Sequence, residues 1–282
     1  MKLVAFIFSF NRPQYLSQVL DSLKSQTDQD VHYVLVQDGA VNKFSKATYA
    51  KFVHIHRCIE LYEQASLPAV SCRDRIASLY NFGMAYQKLY AYTYAFKTYN
   101  YDACLCFEDD LVVSPHYVRL MRLMLEQFKD DQHIATVQAC DHPAVKTQVL
   151  AAKPEDLKKV KFDWRHFWGY ATWKDRWLKH EPFYMKYFSL VRNRDYRLRP
   201  HAQIRKLTGI KQSSHDAALD WCIKQCGQEK LVTVIPRGTY IGANGVHCRP
   251  DHFRKTGYGE RLSYPIKFPY DALLENFECP GK

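Results

Sequence analysis

Three consecutive carboxylates, Glu108, Asp109 and Asp110, follow directly on the apolar run Ala103-Cys104-Leu105-Cys106-Phe107 and precede Leu111-Val112-Val113-Ser114-Pro115. The apolar run reads as a buried strand. In open α/β sheets, ligands bind beyond the carboxyl ends of the strands. Three acids delivered there repel one another and destabilise the fold unless a cation offsets them. A hard divalent ion with oxygen ligands meets that need and can bridge to a diphosphate. The alternative reading of the same residues is a solvated acidic turn ahead of a helix opened by Pro115.

Further candidates lie downstream. Asp216 falls in the first turn of a helix, where an acid either faces a site or complements the helix dipole. Asp220 lies one turn later on the same face. Gly169, set between Trp168 and Tyr170, suggests a close backbone approach to a ligand, whereas Trp168 and Trp173 also suit a plain core. The basic stretch from Arg192 to Lys211 reads as a solvated face or as a contact for phosphate or a lipid headgroup. Cys222, Cys226, His247 and Cys248 match no standard zinc spacing.

The elements that must position these residues begin with a strand from Leu3 to Phe10, a helix opened by Pro13 and a second strand from His32 to Gln37. That order is a βαβ unit and implies parallel pairing. Residues Lys43 to Tyr99 read as mostly helical, broken at Pro68, with a clear helix from Asn81 to Leu89. The strand at Ala103 to Phe107, a helix after Pro115 and a strand from Ile134 to Ala139 follow. Cys140 to Lys161 reads as loop with a short polar helix, Ser214 to Cys226 as a helix and Leu231 to Ile235 as a strand, ahead of a tail rich in Gly and Pro. The expectation is one α/β domain over residues 1–282, with a nucleotide-binding half at 1–140 and an acceptor and catalytic half at 141–282.

The composition bounds the function. The 282 residues are 47% hydrophobic and 24% charged, as in a folded globular protein. A formal net charge of +11 favours an anionic partner: a nucleotide diphosphate, an anionic membrane surface or nucleic acid. Aromatics at 15% suit packing on sugar faces and equally suit a Tyr-rich core. No run reaches the ~18 apolar residues of a membrane span, and Leu3 to Phe10 reads as a buried strand rather than a signal peptide. Nine scattered cysteines argue against a disulfide framework and for a reducing compartment, so a cytoplasmic location, with peripheral membrane contact as an option, is expected. Neither GxGxxG, GxxxxGK[ST] nor a serine nucleophile elbow is present.

Glu108-Asp109-Asp110-Leu111 with Ser114-Pro115 resembles the metal-binding DxD motif of GT-A glycosyltransferases. It is most similar to the form in the N-acetylglucosaminyltransferase I-like branch, and is also similar to bacterial family 2 enzymes. The resemblance covers roughly residues 3 to 250. It implies the GT-A fold, with a central, mostly parallel twisted sheet flanked by helices. It further implies a Mn2+ or Mg2+ ion on Asp110, and donor contacts from Glu108 and Asp109. Ser9, Phe10, Asn11 and Arg12 resemble the family's first nucleotide-binding strand, and Asp38 the acid that meets base or ribose. Arg73 resembles a residue reaching the uracil, and Asn81-Phe82-Gly83 belongs to the same segment. His166 to Trp173, with Trp168 and Gly169, resembles the glycine loop against the donor sugar. Asp216 resembles the catalytic base, and His247 the late histidine that completes the metal shell, with His252 as its rival.

The expected reaction is inverting transfer from a nucleotide-sugar donor, by family default a UDP-sugar, to a hydroxyl of a glycan or glycolipid. The alternatives are a modified base in nucleic acid as acceptor, a nucleotidyltransferase of similar fold, and a non-catalytic sugar- or nucleic-acid-binding module.

Overall fold

The computed structural model describes residues 1–65, 67, 74–140, 153–163, 167–195, 198–245, 248–255 and 270–279. The chain opens as expected, with β1 (Leu3–Ser9), α1 (Pro13–Lys24) and β2 (His32–Gln37). Pro13 stands at the first helical position, where its missing N–H costs nothing, and Leu16, Val19, Leu20 and Leu23 give α1 one buried face. Next come β3 (Val41–Asn42), α2 (Phe52–Gln64), β4 (Asp74–Ala77), β5 (Tyr80–Asn81) and α3 (Met84–Tyr92), the last prolonged by a π-helical stretch, Thr93–Thr98. β6 (Ala103–Glu108) and β7 (Leu111–Val113) flank the acidic residues, and α4 (Tyr117–Gln127) and β8 (Ile134–Gln138) follow. The later half holds α5 (Pro154–Leu157), β9 (Val160–Phe162), β10 (Tyr170–Trp173), α6 (Lys174–Val191), α7 (His201–Thr208), α8 (His215–Gln225), β11 (Glu229–Thr233), β12 (Gly238–Tyr240), α9 (Pro250–Lys255) and α10 (Tyr270–Leu273).

Eight strands form one sheet in the order β4-β2-β1-β6-β10-β8-β11-β9. The β4-β2-β1-β6 side and the β8–β11 pair are parallel, while β10 and β9 run antiparallel to their neighbours. The architecture is thus mixed α/β with a mostly parallel central sheet. Residues before and after 140 share that sheet, since β10 inserts between β6 and β8.

Both faces of the sheet are covered, which is why its central strands β1 and β6 are apolar along almost their whole length. Leu3, Ala5, Ile7, Leu105 and Phe107 pack with the buried faces of α1, α2 and α4. The alternate residues Val4, Phe6, Phe8, Cys104 and Cys106 pack with Tyr92, Trp177, Tyr184, Leu219 and Cys222 on the opposite face. Much of the aromatic excess is this second core, where the Tyr92 and Trp177 rings lie 4.1 Å apart. Cys58, Cys104, Cys106, Cys222, Cys226 and Cys248 form no disulfide. Cys222 belongs to the core, whereas Cys248 lies by Tyr240, so the zinc combination is not assembled there.

The segment expected to be helical from Lys43 to Tyr99 departs most from the sequence reading. It contains two short strands, β4 and β5, and α3 starts three residues later than expected, because Gly83 at φ +80° precedes it. β4 was not legible because its DRIA sequence is short, charged and at the sheet edge. The helix expected at Pro115 begins at Tyr117. The long helix α6 was also not anticipated, since Pro182 interrupts its pattern.

Gly169 and Gly209 both adopt left-handed backbone, at φ +59° and +68°. A Cβ at Gly169 would stand 2.5 Å from the Tyr117 hydroxyl and 2.6 Å from Leu111 Cδ2, whereas at Gly209 it would meet nothing. Gly209→Ala is therefore expected to cost only the conformational penalty, about 1–2 kcal/mol. Gly169→Ala adds a clash with a buried ring and should lower the melting temperature clearly further in the same thermal denaturation series. Equal losses would show that the close approach at Gly169 is not needed.

Candidate functional site

β1 is flanked by β2 on one side and by β6 on the other, so the chain order changes direction between β1 and β6. Crevices at such switch points are where open α/β sheets bind ligands. The register sets Phe8 opposite Glu108 and Ser9 opposite Gln37, bringing the ends of three parallel strands to one level. Above them lies a cavity of about 960 Å3. Its walls include Ser9, Asn11, Arg12, Asp38, Asn81, Glu108, Asp109, Asp110, Trp168 and Asp216. All but one of the described donor, metal and base candidates therefore meet in one place. The exception is Gly169, whose Cβ position is filled by Tyr117 and Leu111 and whose carbonyl accepts from the Tyr117 hydroxyl. Its special backbone thus serves packing behind Trp168. Arg73, His166 and His247 lie outside the described residues. His252, the rival of His247, does line the cavity.

The acidic residues carry their own counter-charge. Arg12 Nη2 pairs with Asp109 Oδ1, and Arg12 Nη1 lies 2.6 Å from Asp110 Oδ2. Burial opposes the guanidinium charge, but the two carboxylates outweigh it and raise the Arg12 pKa. The Phe10 N–H points at Asp109 Oδ2 from 3.5 Å. Burial, with repulsion from Asp110 and Asp216, pushes the Glu108 carboxyl up to about 8. Burial likewise lifts Asp110 to about 6, against the pull of Arg12. A second cation, Lys88, is buried with no hydrogen-bond partner for its Nζ, which sits 4.1 Å from the Phe8 ring centre and also draws the Glu108 pKa down.

The fit to a divalent ion follows from these bonds. Asp110 Oδ1 is buried and accepts no hydrogen bond from another residue, so one carboxylate oxygen is open to a cation. Among the described residues no group of three or more His, Cys, Asp or Glu side chains is placed to hold an ion. The open Asp110 oxygen is compatible with an ion that takes most of its ligands from phosphate and water, as Mg2+ does.

Asp38 has a structural task. Its Oδ1 accepts from the Phe82 and Gly39 N–H groups, at 2.9 and 3.1 Å, and its Oδ2 from Gly83 N–H at 2.9 Å. These bonds fasten the segment that carries Asn81 and Gln87 to the cavity wall. Burial pushes the Asp38 carboxyl up to about 6 despite them. Asn81 Oδ1 is buried in the same wall without a hydrogen-bond partner.

At the other end, Ser214 caps α8 by accepting from Ala217 N–H at 3.2 Å, which fixes Asp216 in the first turn. His215 Nε2 lies 2.9 Å from Asp216 Oδ1, and the Asp216 side chain is 41% exposed to the cavity. Asp220 is instead bound to Lys230 Nζ at 2.7 Å. The two acids that the sequence left as rivals thus differ in setting: Asp216 lines the cavity beside His215, and Asp220 is bound to the buried Lys230.

Sequence reasoning missed the tail. β12 pairs with β7 and sets Tyr240 opposite Leu111, and the Ile241 N–H donates to the Asp110 carbonyl at 2.8 Å. The Tyr240 ring stacks on Trp168 at 4.7 Å. A Cβ at Gly242 would stand 2.2 Å from Asp110 Oδ2, and one at Gly245 would stand 3.2 Å from Arg12 Nη1. The pair of glycines three residues apart was the available signal. Tyr187, Arg194 and Arg199 also line the cavity and come from elements the sequence left unassigned or aperiodic.

No protein-family model matches the sequence, and no curated protein matches it. Solved structures are similar in outline. S. aureus TarS 1-349 in complex with UDP shares 12% identity at a TM-score of 0.48, over 91% of this chain and 63% of that one. The galactosyltransferase LgtC, in complex with donor and acceptor sugar analogs, shares 9% at a TM-score of 0.44, over 78% of this chain and 70% of that one. A longer TarS structure is covered over only 38% of its length. Likenesses this loose assign no activity to the chain.

Asp38→Asn leaves one of the backbone donors without a good acceptor, which should cost about 1–3 kcal/mol and speed amide exchange at Phe82 and Gly83. With a folded value of about 6 against the ordinary 3.8, the folded protein binds more protons in that window, so stability falls as pH rises through it. Asp38→Asn should flatten that slope in denaturant titrations at several pH values. A variant with unchanged slope and unchanged exchange would show that Asp38 does not hold the loop.

Proposed function

We propose that this chain is a GT-A glycosyltransferase that moves a sugar, with inversion, from a UDP-sugar to a hydroxyl of a glycan or glycolipid, using Mn2+ or Mg2+. The observation that carries the reading is the cavity at the β1–β6 switch point, with Glu108, Asp109 and Asp110 on its floor and the half-buried Asp216 in its wall. The unbonded Asn81 Oδ1 and the Arg12 guanidinium supply further groups for a nucleotide and its phosphates.

The residues divide the work. Ser9, Asn11, Asp38 and Asn81 lie along the ends of β1, β2 and β5, where the nucleoside is proposed to rest. Arg12 offers a planar pair of donors to the diphosphate. Asp110, with His247 or His252, would hold the divalent ion, whose chemistry is to neutralise the departing diphosphate. Trp168, stacked on Tyr240, gives a flat apolar wall for the sugar. Asp216 takes the proton of the acceptor hydroxyl as that oxygen bonds to the anomeric carbon. The bond from the anomeric carbon to the diphosphate breaks in the same displacement, and its electron pair leaves with the diphosphate. With Asp216 as the base, attack comes from the face opposite the leaving group, and an α-linked donor yields a β-linked product.

The acceptor side of the cavity carries Arg194 and Arg199, and the chain has a net charge of +11. Both suit an acceptor carried on an anionic glycan or an anionic membrane surface. No helix among the described residues is long and apolar enough to cross a membrane.

Two variants test the base. Asp216→Asn should lower kcat by roughly a hundredfold or more while leaving UDP-induced thermal stabilisation intact. Asp220→Asn should act on stability, because it removes the carboxylate bound to the buried Lys230, and it should lower the melting temperature. An active Asp216→Asn beside an inactive but well-folded Asp220→Asn would reverse the assignment. The anomeric coupling constant of the product, read by proton NMR, tests the stereochemistry, and an α-linked product from an α-linked donor would exclude inversion.

A further inference from the structure

Arg12 is more than a donor-facing cation, because its guanidinium already occupies the acids that an ion would use. It reaches Asp109 with one nitrogen and Asp110 with another, and both carboxylates are almost fully buried, at 4% and 3% exposure. The position is built. Pro13 starts α1 directly after Arg12, fixing where the side chain departs. The tail closes from the other side, with Gly245 against Arg12 Nη1 and Gly242 against Asp110 Oδ2 at distances that leave no room for a side chain at Gly242. Asp110 Oδ1 is the one oxygen of this pair of aspartates shown buried without a partner.

A guanidinium and a divalent cation cannot share one carboxylate without strong repulsion, and here they would meet in a water-poor site where repulsion is poorly screened. Either the ion stays out or Arg12 lets go. Release of Arg12 with nothing to replace its two carboxylates would be costly, but a diphosphate in the cavity offers it charge-assisted bonds in return. The Tyr15 ring, 5.6 Å from the guanidinium carbon, flanks the side chain as it turns.

We infer that Arg12 is a resident counter-cation: it holds Asp109 and Asp110 in the ligand-free protein and exchanges them for the donor diphosphate as a divalent ion takes Asp110. Binding of ion and diphosphate is then coupled through one side chain, and the coupling must be reciprocal. The ion alone binds weakly, because it must displace Arg12 with nothing to receive it. The inference rests on the donor-site reading given under Proposed function.

The test uses Mn2+ alone, followed by electron paramagnetic resonance, on the wild type, Arg12→Ala and Arg12→Lys. Arg12→Ala should bind Mn2+ about tenfold or more tightly than the wild type, within the usual range of such couplings. Added guanidinium ion at millimolar concentration should refill the gap and weaken Mn2+ binding to Arg12→Ala, with no effect on the wild type. Arg12→Lys keeps a cation at the acids and should stay closer to the wild type. Arg12→Ala binding Mn2+ no better than the wild type, or indifferent to guanidinium, would overturn the inference. A wild-type measurement covers the case in which Arg12→Ala does not fold. The Arg12 side-chain Nε–H signal in nitrogen-15 NMR should move when Mg2+ and UDP are added together and stay in place with Mg2+ alone. If backbone amides around the cavity report UDP binding while the Arg12 signal stays still, the exchange is wrong and the donor site stands. If UDP shifts no amide at the cavity, the donor reading itself fails.

Discussion

Three carboxylates in a row at the end of a buried strand are tolerable only with positive charge held beside them, and the surrounding structure is organised by that need. Burial alone would force protons onto all three, as the high values at Glu108 and Asp110 show. The chain answers with two cations from separate elements. Arg12 arrives at the head of α1, and Lys88 arrives from α3 below Glu108. The result is an acidic site that is folded and close to charge balance before any ligand comes, with one open oxygen on Asp110.

The sheet topology gives this charge arrangement its setting. Parallel strands β1, β2 and β6 end at one level, and the change of chain direction between β1 and β6 leaves the crevice open. The later half completes the site by two routes. β10 enters the sheet beside β6 and positions Trp168, while β12 pairs with β7 and draws the tail over Asp110. α8 adds Asp216 from the second core, on a turn fixed by the Ser214 cap. A reacting centre placed between β6 and α8 would thus meet rigid elements on both sides, the arrangement that holds catalytic geometry best.

What could be read from the sequence was what periodicity and local chemistry encode. Pro13, the apolar runs of β1, β2, β6 and β8, and the triple acid fixed the class of fold and the floor of the site. Asp216 and Trp168 were found by motif position and do reach the cavity. The ion pairs were not legible, because Arg12 and Asp110 lie far apart along the chain and nothing local ties them. The same holds for the three backbone N–H groups bonded to the Asp38 carboxylate, two of which lie more than forty residues along the chain. The separation of Asp216 from Asp220 needed Lys230, which belongs to a strand beyond the helix. Short edge strands such as β4 and a helix carrying Pro182 are set by tertiary packing that overrides weak local preference.

The central claim is that the crevice above β1, β2 and β6 is a nucleotide-sugar donor site. Hydrogen–deuterium exchange with a panel of UDP-sugars, in the presence of Mn2+, tests it most directly. The account predicts slower exchange in peptides covering Phe8–Gln14, Phe82–Gln87 and Phe107–Leu111, with no comparable change along α4 or β9. Protection absent from all three segments at saturating donor, or concentrated elsewhere on the protein, would contradict it.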